Sequence, residues 1–230
     1  MIDMATRTGW LVCLCAAAPL ACQSTNSENV KTPGIAATFR TTDDSSGTVA
    51  AHAQLRVGST YIDLSGGDAL FCDNVKLGKS EGLLNEINYD AAVARLTPGA
   101  SYVFEFRRPA SSESRLSYAI APDPVVIAAP GNGGMVSSQA PLPVAWTPAA
   151  MGGISISVTG SGVQNRSYAV GPDHGTYTIP ANALLCENNL GPCSGVLTVT
   201  RTVVGSGDPA FESVDVESMT SASVNLQIQM

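Results

Sequence analysis

The sequence predicts an all-β protein built from two tandem β-sandwiches that follow a cleaved signal peptide. Three observations favour this fold class. Short segments of alternating apolar and polar residues recur along the chain, with turn residues about every 8–12 positions, which is the pattern of sandwich strands. Hydrophobic residues make up 44% of the chain and charged residues 13%, a composition typical of a folded chain. Two closely spaced prolines, Pro122 and Pro124, divide the strands into two groups.

The first residues have the features of an export signal. Arg7 supplies a positive charge, and residues 9–18 form an apolar run of the length that a secretory signal needs. The run is too short to cross a bilayer as a stable helix, which takes about 20 apolar residues. We therefore expect residues 1–21 to be a signal peptide that is removed on export.

Residues 19–22, with the sequence PLAC, resemble the lipobox of bacterial lipoprotein signal peptides, although Pro19 stands where that family usually has an aliphatic residue. The resemblance implies cleavage after Ala21 and lipidation of Cys22, so that acyl chains hold the protein at a membrane. By the sorting rule of that family, Gln23 favours the bacterial outer membrane, with the domains facing the periplasm or the cell surface. The alternative is an ordinary signal peptide that leaves a soluble secreted protein.

Residues 22–33 are polar and show no periodic pattern, so we expect the lipidated cysteine to lead into a flexible tether. Alternation typical of strands begins at Gly34, and residues 34–120 are predicted to form the first sandwich. Its clearest strands are Thr48–Val57 and Tyr102–Phe106, which place their apolar residues on one face.

The second sandwich is predicted at residues 121–230. It follows the two prolines because proline cannot donate a hydrogen bond to a strand ladder. Alternating apolar residues predict strands at Leu142–Thr147, Ile154–Thr159, Gly195–Val204 and Ser223–Met230.

Three segments of this half, residues 141–148 (PLPVAWTP), 176–181 (TYTIPA) and 196–201 (VLTVTR), look like parts of a fibronectin type III or immunoglobulin-like domain of bacterial envelope lipoproteins. The resemblance implies that Trp146 lies in the core between the sheets. The first half is expected to be a more divergent immunoglobulin-like sandwich, because its strand count is similar. Such domains serve as spacers, adhesins and assembly modules, so the fold does not specify a ligand.

Two of the six cysteines lie in the predicted signal peptide, and a third is the predicted lipidation site. Cys186 and Cys193 flank a polar loop, which predicts a disulfide in an oxidising compartment. The alternative, two ligands of a metal site, is disfavoured because no further Cys or His lies nearby in the sequence. Cys72 ends a strand-like run and is expected to be a buried free thiol, with an intermolecular bridge as the alternative.

The formal net charge is −7, and no stripe of basic residues is present, so we expect no nucleic-acid partner. Residues 78–82 (GKSEG) match the G-x-S-x-G pattern of hydrolases, which requires a strand before the serine and a helix after it. Here the pattern lies in an irregular part of a β chain, and His174, the histidine downstream of it, belongs to the other domain. We expect no catalytic residue and no enzyme activity, and a serine hydrolase using Ser80 is kept as an alternative.

Two groups of acidic residues are candidate oxygen ligands for Ca²⁺, although neither matches a twelve-residue calcium loop. They are Asp63, Asp68 and Asp73, and Asp208, Glu212, Asp215 and Glu217. Five tyrosines would stack on sugars if they faced outward, but core packing explains them as well. They are Tyr61, Tyr102, Tyr118, Tyr168 and Tyr177. His52 is expected on a solvated strand face and His174 in a turn, so we expect no metal and no cofactor.

These observations favour a non-catalytic, lipid-anchored envelope protein that acts as a binding, adhesion or spacer module. The expected partners are the membrane, reached through the N-terminal lipid, and an unidentified protein or glycan ligand. A carbohydrate- or calcium-binding ectodomain is the alternative.

Overall fold

The computed structural model describes residues 24–43, 47–82, 86–187 and 192–229, and over these residues the chain is all-β, as predicted. The predicted signal peptide, residues 1–21, and the predicted lipidation site, Cys22, lie outside the described residues. The strands, numbered in chain order, are β1 Ser24–Asn26, β2 Ala36–Asp43, β3 Thr48–Val57, β4 Thr60–Asp63, β5 Ala69–Cys72, β6 Val75–Lys76, β7 Gly78–Glu81, β8 Ile87–Ala94, β9 Ser101–Arg108, β10 Glu113–Ile120, β11 Val126–Ala129, β12 Gly134–Ser137, β13 Leu142–Thr147, β14 Gly153–Thr159, β15 Arg166–Pro172, β16 Thr176–Ile179, β17 Cys193–Val204 and β18 Ser213–Gln229.

Short 3-10 helices lie at Ser27–Asn29, Thr32–Gly34 and Pro109–Ser111. Within the described part of the chain, no helix has the length and apolar character that crossing a membrane requires.

Three sheets organise the strands. The largest runs in the order β1-β4-β3-β2-β18-β17-β14-β15, and β8 also pairs with β3, β7 with β8, and β12 with β18. The other two sheets have the orders β10-β9-β5-β6 and β11-β13-β16. Each small sheet packs on a different part of the large sheet, and each interface encloses its own hydrophobic core. The predicted fold class, two β-sandwiches in tandem, is therefore confirmed.

The core of the first sandwich is aromatic. Phe39 of β2 stacks on Phe104 of β9 with ring centroids 5.0 Å apart. Phe211 packs against Phe39 and Phe106 at centroid distances of 6.0 and 6.1 Å. β2 supplies Phe39, and β9 supplies Phe104 and Phe106, because alternate residues of each strand face the opposite sheet.

The core of the second sandwich contains Trp146, which is 2% exposed, as predicted. Cys186 and Cys193 form the predicted disulfide and close the loop before β17. Cys72 is a buried free thiol, also as predicted, and burial raises its pKa to about 12. A thiol with so high a pKa stays protonated at neutral pH and is a poor nucleophile.

The last strand belongs to both sandwiches. β18 is 17 residues long and pairs with β17 in an antiparallel hairpin. Its segment Ser213–Thr220 pairs in parallel with β2, and Val216 in this segment faces the first core. Further along the strand, Leu226 and Ile228 face the second core.

The predicted boundary at residue 121 assigns Phe211 and all of β18 to the second sandwich, whereas the packing places Phe211 and Val216 in the first core. The end of the chain therefore closes the first sandwich. The sequence pattern does not show this closure, because alternation identifies the inward face of a strand and not its neighbours.

The segment predicted to be a flexible tether is instead docked on the first sandwich over its described part. β1 pairs in parallel with β4, and Ser27 and Thr32 are buried. We call residues 24–34 the strap. The strap has no apolar periodicity because polar contacts to the first sandwich hold it, so its sequence resembles that of a linker.

Two glycines allow close approaches in the loop before β18, Gly205 to β10 and Gly207 to the start of β18. A Cβ atom at Gly205 would lie 2.1 Å from the carbonyl oxygen of Tyr118, and one at Gly207 would lie 1.9 Å from Cγ1 of Val214. Between them, Ser206 exchanges two backbone hydrogen bonds with Tyr118, at 2.7 and 2.9 Å. The loop thereby seals the side of β10 that faces away from β9.

We predict that Gly207→Ala destabilises the protein by about 1–3 kcal/mol or more, because the new methyl group overlaps Val214 in a close-packed site. Gly131→Ala is the matched control, since a Cβ there meets no atom within 4 Å. Urea denaturation of both variants gives the free energy of unfolding. A Gly207→Ala protein as stable as the control would contradict the close approach.

Candidate functional site

The strap is held by one buried arginine at the end of β9. The guanidinium of Arg108 donates to the carbonyl oxygens of Ser27 and Val30, at 2.7 and 2.8 Å, and to Oγ1 of Thr32 at 3.3 Å. Its Nε donates to Oδ2 of Asp68 at 3.1 Å. Arg108 therefore meets an acidic partner and three acceptors of the strap, and such a set of bonds compensates a charge for its removal from water.

A cleft of about 600 Å³ lies between the strap and the rim of the first sandwich. Its charged lining carries both signs: Glu28, Lys31, Asp68, Arg108 and Glu113. Thr32 donates to Oε2 of Glu113 at 2.7 Å, and this bond lowers the pKa of the Glu113 carboxyl. The cleft is a candidate binding site, although its charges are partly used to hold the strap.

A smaller cleft of about 350 Å³ shares Asp68 with the first. Lys79 and Asp63 face each other there at 2.8 Å, and Lys79 also pairs with Glu81 at 2.9 Å. The hydrogen bonds to these two carboxylates hold the pKa of Lys79 above its ordinary value. Asp63 and Asp68, both candidate calcium ligands in the sequence, thus each face a cation.

Three of the other candidate calcium ligands, Asp73, Asp208 and Glu217, have separate partners too. Asp73 accepts a hydrogen bond from the Val103 amide at 2.9 Å, and Glu217 pairs with Arg40 at 3.1 Å. Asp208 accepts from backbone amides of the loop before β18 and of β10. Among the described residues, no group of three or more His, Cys, Asp or Glu side chains is placed to hold a metal ion.

Ser80 lies on β7, an exposed edge strand, and not on a strand-to-helix turn. Its hydroxyl donates to Oδ2 of Asp90, whose Oδ1 lies 2.7 Å from Nδ1 of His52. The fold thus brings together a serine and a carboxylate of neighbouring strands and a histidine that lies 38 positions before the carboxylate. In a nucleophilic triad the histidine bonds the serine and the carboxylate orients the histidine. Here the serine donates to the carboxylate and not to the histidine, so the order of contacts differs from that of a nucleophilic triad.

These groups belong to a polar row across the outer face of the large sheet. Cross-strand register places Glu217, Arg40, His52 and Asp90 side by side on β18, β2, β3 and β8. Arg40 pairs with Glu217, and His52 contacts Asp90, so each of these four groups has a partner within the row. Exposed pairs of this kind contribute little to stability, typically about 0–1 kcal/mol each.

The predicted tyrosine platform is divided between the two sandwiches. Tyr61 and Tyr102 are buried in the first core, and Tyr118 is exposed on β10. Tyr168 and Tyr177 pack against each other in the second sandwich with ring centroids 5.8 Å apart. Core packing therefore accounts for most of these tyrosines.

The junction of the two sandwiches contains a fully buried ion pair. Arg201 of β17 and Asp173 have side chains that are both 0% exposed, with Nη2 and Oδ2 2.5 Å apart. Arg201 also donates to the carbonyl oxygens of Asp123 and Pro148, at 2.5 Å each. It therefore ties β17 to the segment that joins the sandwiches and to the loop after β13.

Asp173 completes this network. Its carboxylate accepts from Nε1 of Trp146 at 2.8 Å and from the Gly175 and Ala150 amides at 2.9 and 3.2 Å. Burial alone would raise the pKa of Asp173, but the hydrogen bonds, that from Arg201 first, outweigh burial and lower it. The next residue, His174, is exposed in a turn, as predicted.

Sequence reasoning missed this network, although a signal was present. Inward positions of β17 alternate through Leu197 and Val199 to Val203, and Arg201 occupies one of them. An arginine in an otherwise apolar inward row predicts a buried acidic partner, because charged groups are buried only when paired.

No protein-family model matches the chain, and no curated protein matches its sequence. Among solved structures, the crystal structure of DIP-gamma IG1+IG2 is similar over 84% of this chain and 95% of its own, with 9% identity and a TM-score of 0.22. The Yersinia pseudotuberculosis adhesin InvE is similar over 85% of this chain, with 13% identity and a TM-score of 0.24. This chain covers 59% of the InvE structure. Both TM-scores are low, and neither likeness carries a conclusion about function.

We predict that Arg201→Met costs about 3–5 kcal/mol of stability, because Asp173 would keep a buried charge without its cationic partner. Arg166→Met on the exposed strand β15 is the matched control and should change stability by less than about 0.5 kcal/mol. Chemical denaturation followed by Trp146 fluorescence measures both. A loss below about 1 kcal/mol in Arg201→Met would contradict the buried pair.

A second prediction concerns acid. A carboxyl whose pKa is lowered by folding contributes stability above its unfolded pKa of about 3.9 and loses that contribution as the pH falls through the folded pKa. We therefore expect the wild-type unfolding free energy to fall between about pH 5 and pH 2 more steeply than that of Asp173→Asn, which has no carboxyl to protonate at this position. Urea melts across this range test it, and parallel curves would refute the role of Asp173.

Proposed function

We propose that the protein is a non-catalytic, lipid-anchored stalk of the bacterial envelope that presents a binding or adhesion surface. Residues 1–21 are the export signal, and Cys22 carries the lipid. The support for the anchor is the lipobox-like sequence at residues 19–22. Gln23 after the cysteine favours the outer membrane, and an unidentified protein or glycan is the ligand.

The proposal of a stalk is supported by the continuity of β18. One strand of 17 residues runs through both sandwiches and would be about 55 Å long when extended. Because the sandwiches share this strand, they cannot rotate independently without breaking its pairing with β17. Arg201 reinforces the junction by holding the connecting segment at Asp123. A two-domain rod of this kind suits a spacer better than a hinged pair of domains would.

The positions of the two ends give the stalk a direction. Ser24 lies level with the start of β18 in the large sheet. The cross-strand neighbours that connect the two positions are Tyr61 on β4, Arg56 on β3 and Ala36 on β2. Gln229 lies at the other end of β18. The lipid on Cys22 would therefore sit beside the first sandwich, within two residues or about 7 Å of chain from the strap. The second sandwich is the membrane-distal end and the better candidate for contact with a ligand.

Metabolic labelling with a radioactive fatty acid tests the anchor. We expect the wild-type protein to be labelled and to sediment with membranes, and Cys22→Ala to be neither. Cys15→Ala, within the predicted signal peptide, is the matched control and should keep the label. A Cys22→Ala protein that is still labelled would exclude the proposed anchor.

Protease treatment of intact cells then distinguishes the two orientations. Loss of the second sandwich, with a periplasmic control protein preserved, favours a surface adhesin. Protection favours a spacer or assembly module in the periplasm.

A further inference from the structure

A force that pulls the two ends of the chain apart acts on the pairing between β2 and β18. β2 follows the N-terminal strap, and β18 ends the described chain, and these two strands run parallel over eight residue pairs from Ala36 and Ser213 onward. Tension toward the N-terminus pulls β2 backward, whereas tension at Gln229 pulls β18 forward. The pair is therefore sheared, and all of its hydrogen bonds must carry the load together.

The β2–β18 pair is reinforced on both faces. On the inner face, Phe39 and Val216 lie in the first core, and Thr41 and Ser218 share a buried hydroxyl hydrogen bond of 2.6 Å. On the outer face, Arg40 pairs with Glu217. Sliding one strand past the other would disrupt the core, the buried hydroxyl pair and the ladder at once, so this pair resists force.

The strap is attached much less extensively. β1 has three residue pairs with β4, and within the strap only Val30 packs on the first core, partly buried. The remaining attachments are polar: the bonds of Arg108, the bond between Thr32 and Glu113, and a hydrogen-bond pair between Ser27 and Ser65. Segments with few apolar contacts open at low free energy.

Release of the strap also leaves few polar groups without a hydrogen-bond partner and exposes little apolar surface. The strap lines an open cleft of about 600 Å³, so water can reach the surface beneath it. Arg108 would keep Asp68, and water would replace the three strap acceptors. No hydrophobic core opens, because the first large buried apolar side chain after the strap is Ile35, at the start of the sandwich itself.

We propose that the strap is a load-released tether: tension along the chain undocks residues 24–34 while the β2–β18 pair keeps both sandwiches folded. This inference builds on the proposed anchor, because a lipid at Cys22 would be the point at which tension enters. Undocking frees 11 residues, or about 35 Å of extended chain. An anchored protein pulled by its ligand would then move away from the membrane before any domain unfolds.

Optical-tweezers measurements on the purified chain from residue 23, with handles at both ends, test the proposal. We expect a reversible first step of about 20 Å at low force, which is the roughly 35 Å of freed chain less the roughly 14 Å that three strand spacings already place between Ser24 and Ala36. Unfolding of the sandwiches should follow at higher force. A first event that releases a whole sandwich, or a single rupture with no earlier step, would overturn it.

Two variants assign the first step to the strap. Arg108→Gln removes hydrogen bonds from a charged donor, so release at constant force should be about tenfold faster or more, with the force of the later unfolding less affected. Because Arg108 is buried and its loss could impair folding, Thr32→Val provides a second, isosteric change that removes the bond to Glu113 and should also speed release. Arg166→Gln in the second sandwich is the control and should leave the step unchanged. A first step that neither variant alters would assign it elsewhere.

The outcome is independent of the anchor itself. The measurement uses protein without lipid, so failure of Cys22 labelling would remove the proposed location and leave the first step intact. If the first step is not observed, the proposed load-released tether is wrong, and the proposed lipid anchor is unaffected.

Discussion

The joint between the two sandwiches depends on the buried charge of Arg201. A guanidinium removed from water is stable only when its donors are satisfied, and here they bind Asp173 and the carbonyl oxygens of Asp123 and Pro148. These acceptors belong to three separate segments that lie between strands. The charge therefore fixes where the connecting segment, the loop after β13 and the turn after β15 meet. Trp146, the main aromatic residue of the second core, is oriented by the same carboxylate.

Arg108 is a second buried guanidinium, at the rim of the first sandwich, and its donors are satisfied in a similar way. Both arginines lie on inward positions near an end of their strand, and each pairs with one aspartate and binds carbonyl oxygens of non-strand backbone. The planar guanidinium suits this task because its several donors point in fixed directions. The difference lies in what each holds: Arg201 fastens a joint between two cores, whereas Arg108 fastens a strap that encloses almost no apolar surface.

Much of the fold is readable from the sequence, because alternation of apolar and polar residues identifies strands and their inward faces. Trp146 and the Cys186–Cys193 disulfide follow from local patterns of this kind. What the sequence does not reveal is pairing between distant segments. The strap looks like a linker because Arg108, which holds it, lies about 80 positions away. The proximity of Ser80, Asp90 and His52 likewise depends on cross-strand register. Arg201 is the exception, since its inward position in an apolar row could have been recognised.

Closure of the first sandwich by the last strand has a consequence for the timing of folding. Thr41 and Ser218, which bond to each other in the first core, are separated by 177 positions. The first sandwich therefore lacks a central strand until nearly the whole chain has been synthesised, and contacts between such distant segments form slowly. The first sandwich cannot finish folding until the segment Ser213–Thr220 of β18 is available to pair with β2. The order of the strands would therefore keep the first sandwich incomplete until late in synthesis, although most of its core residues come early in the chain.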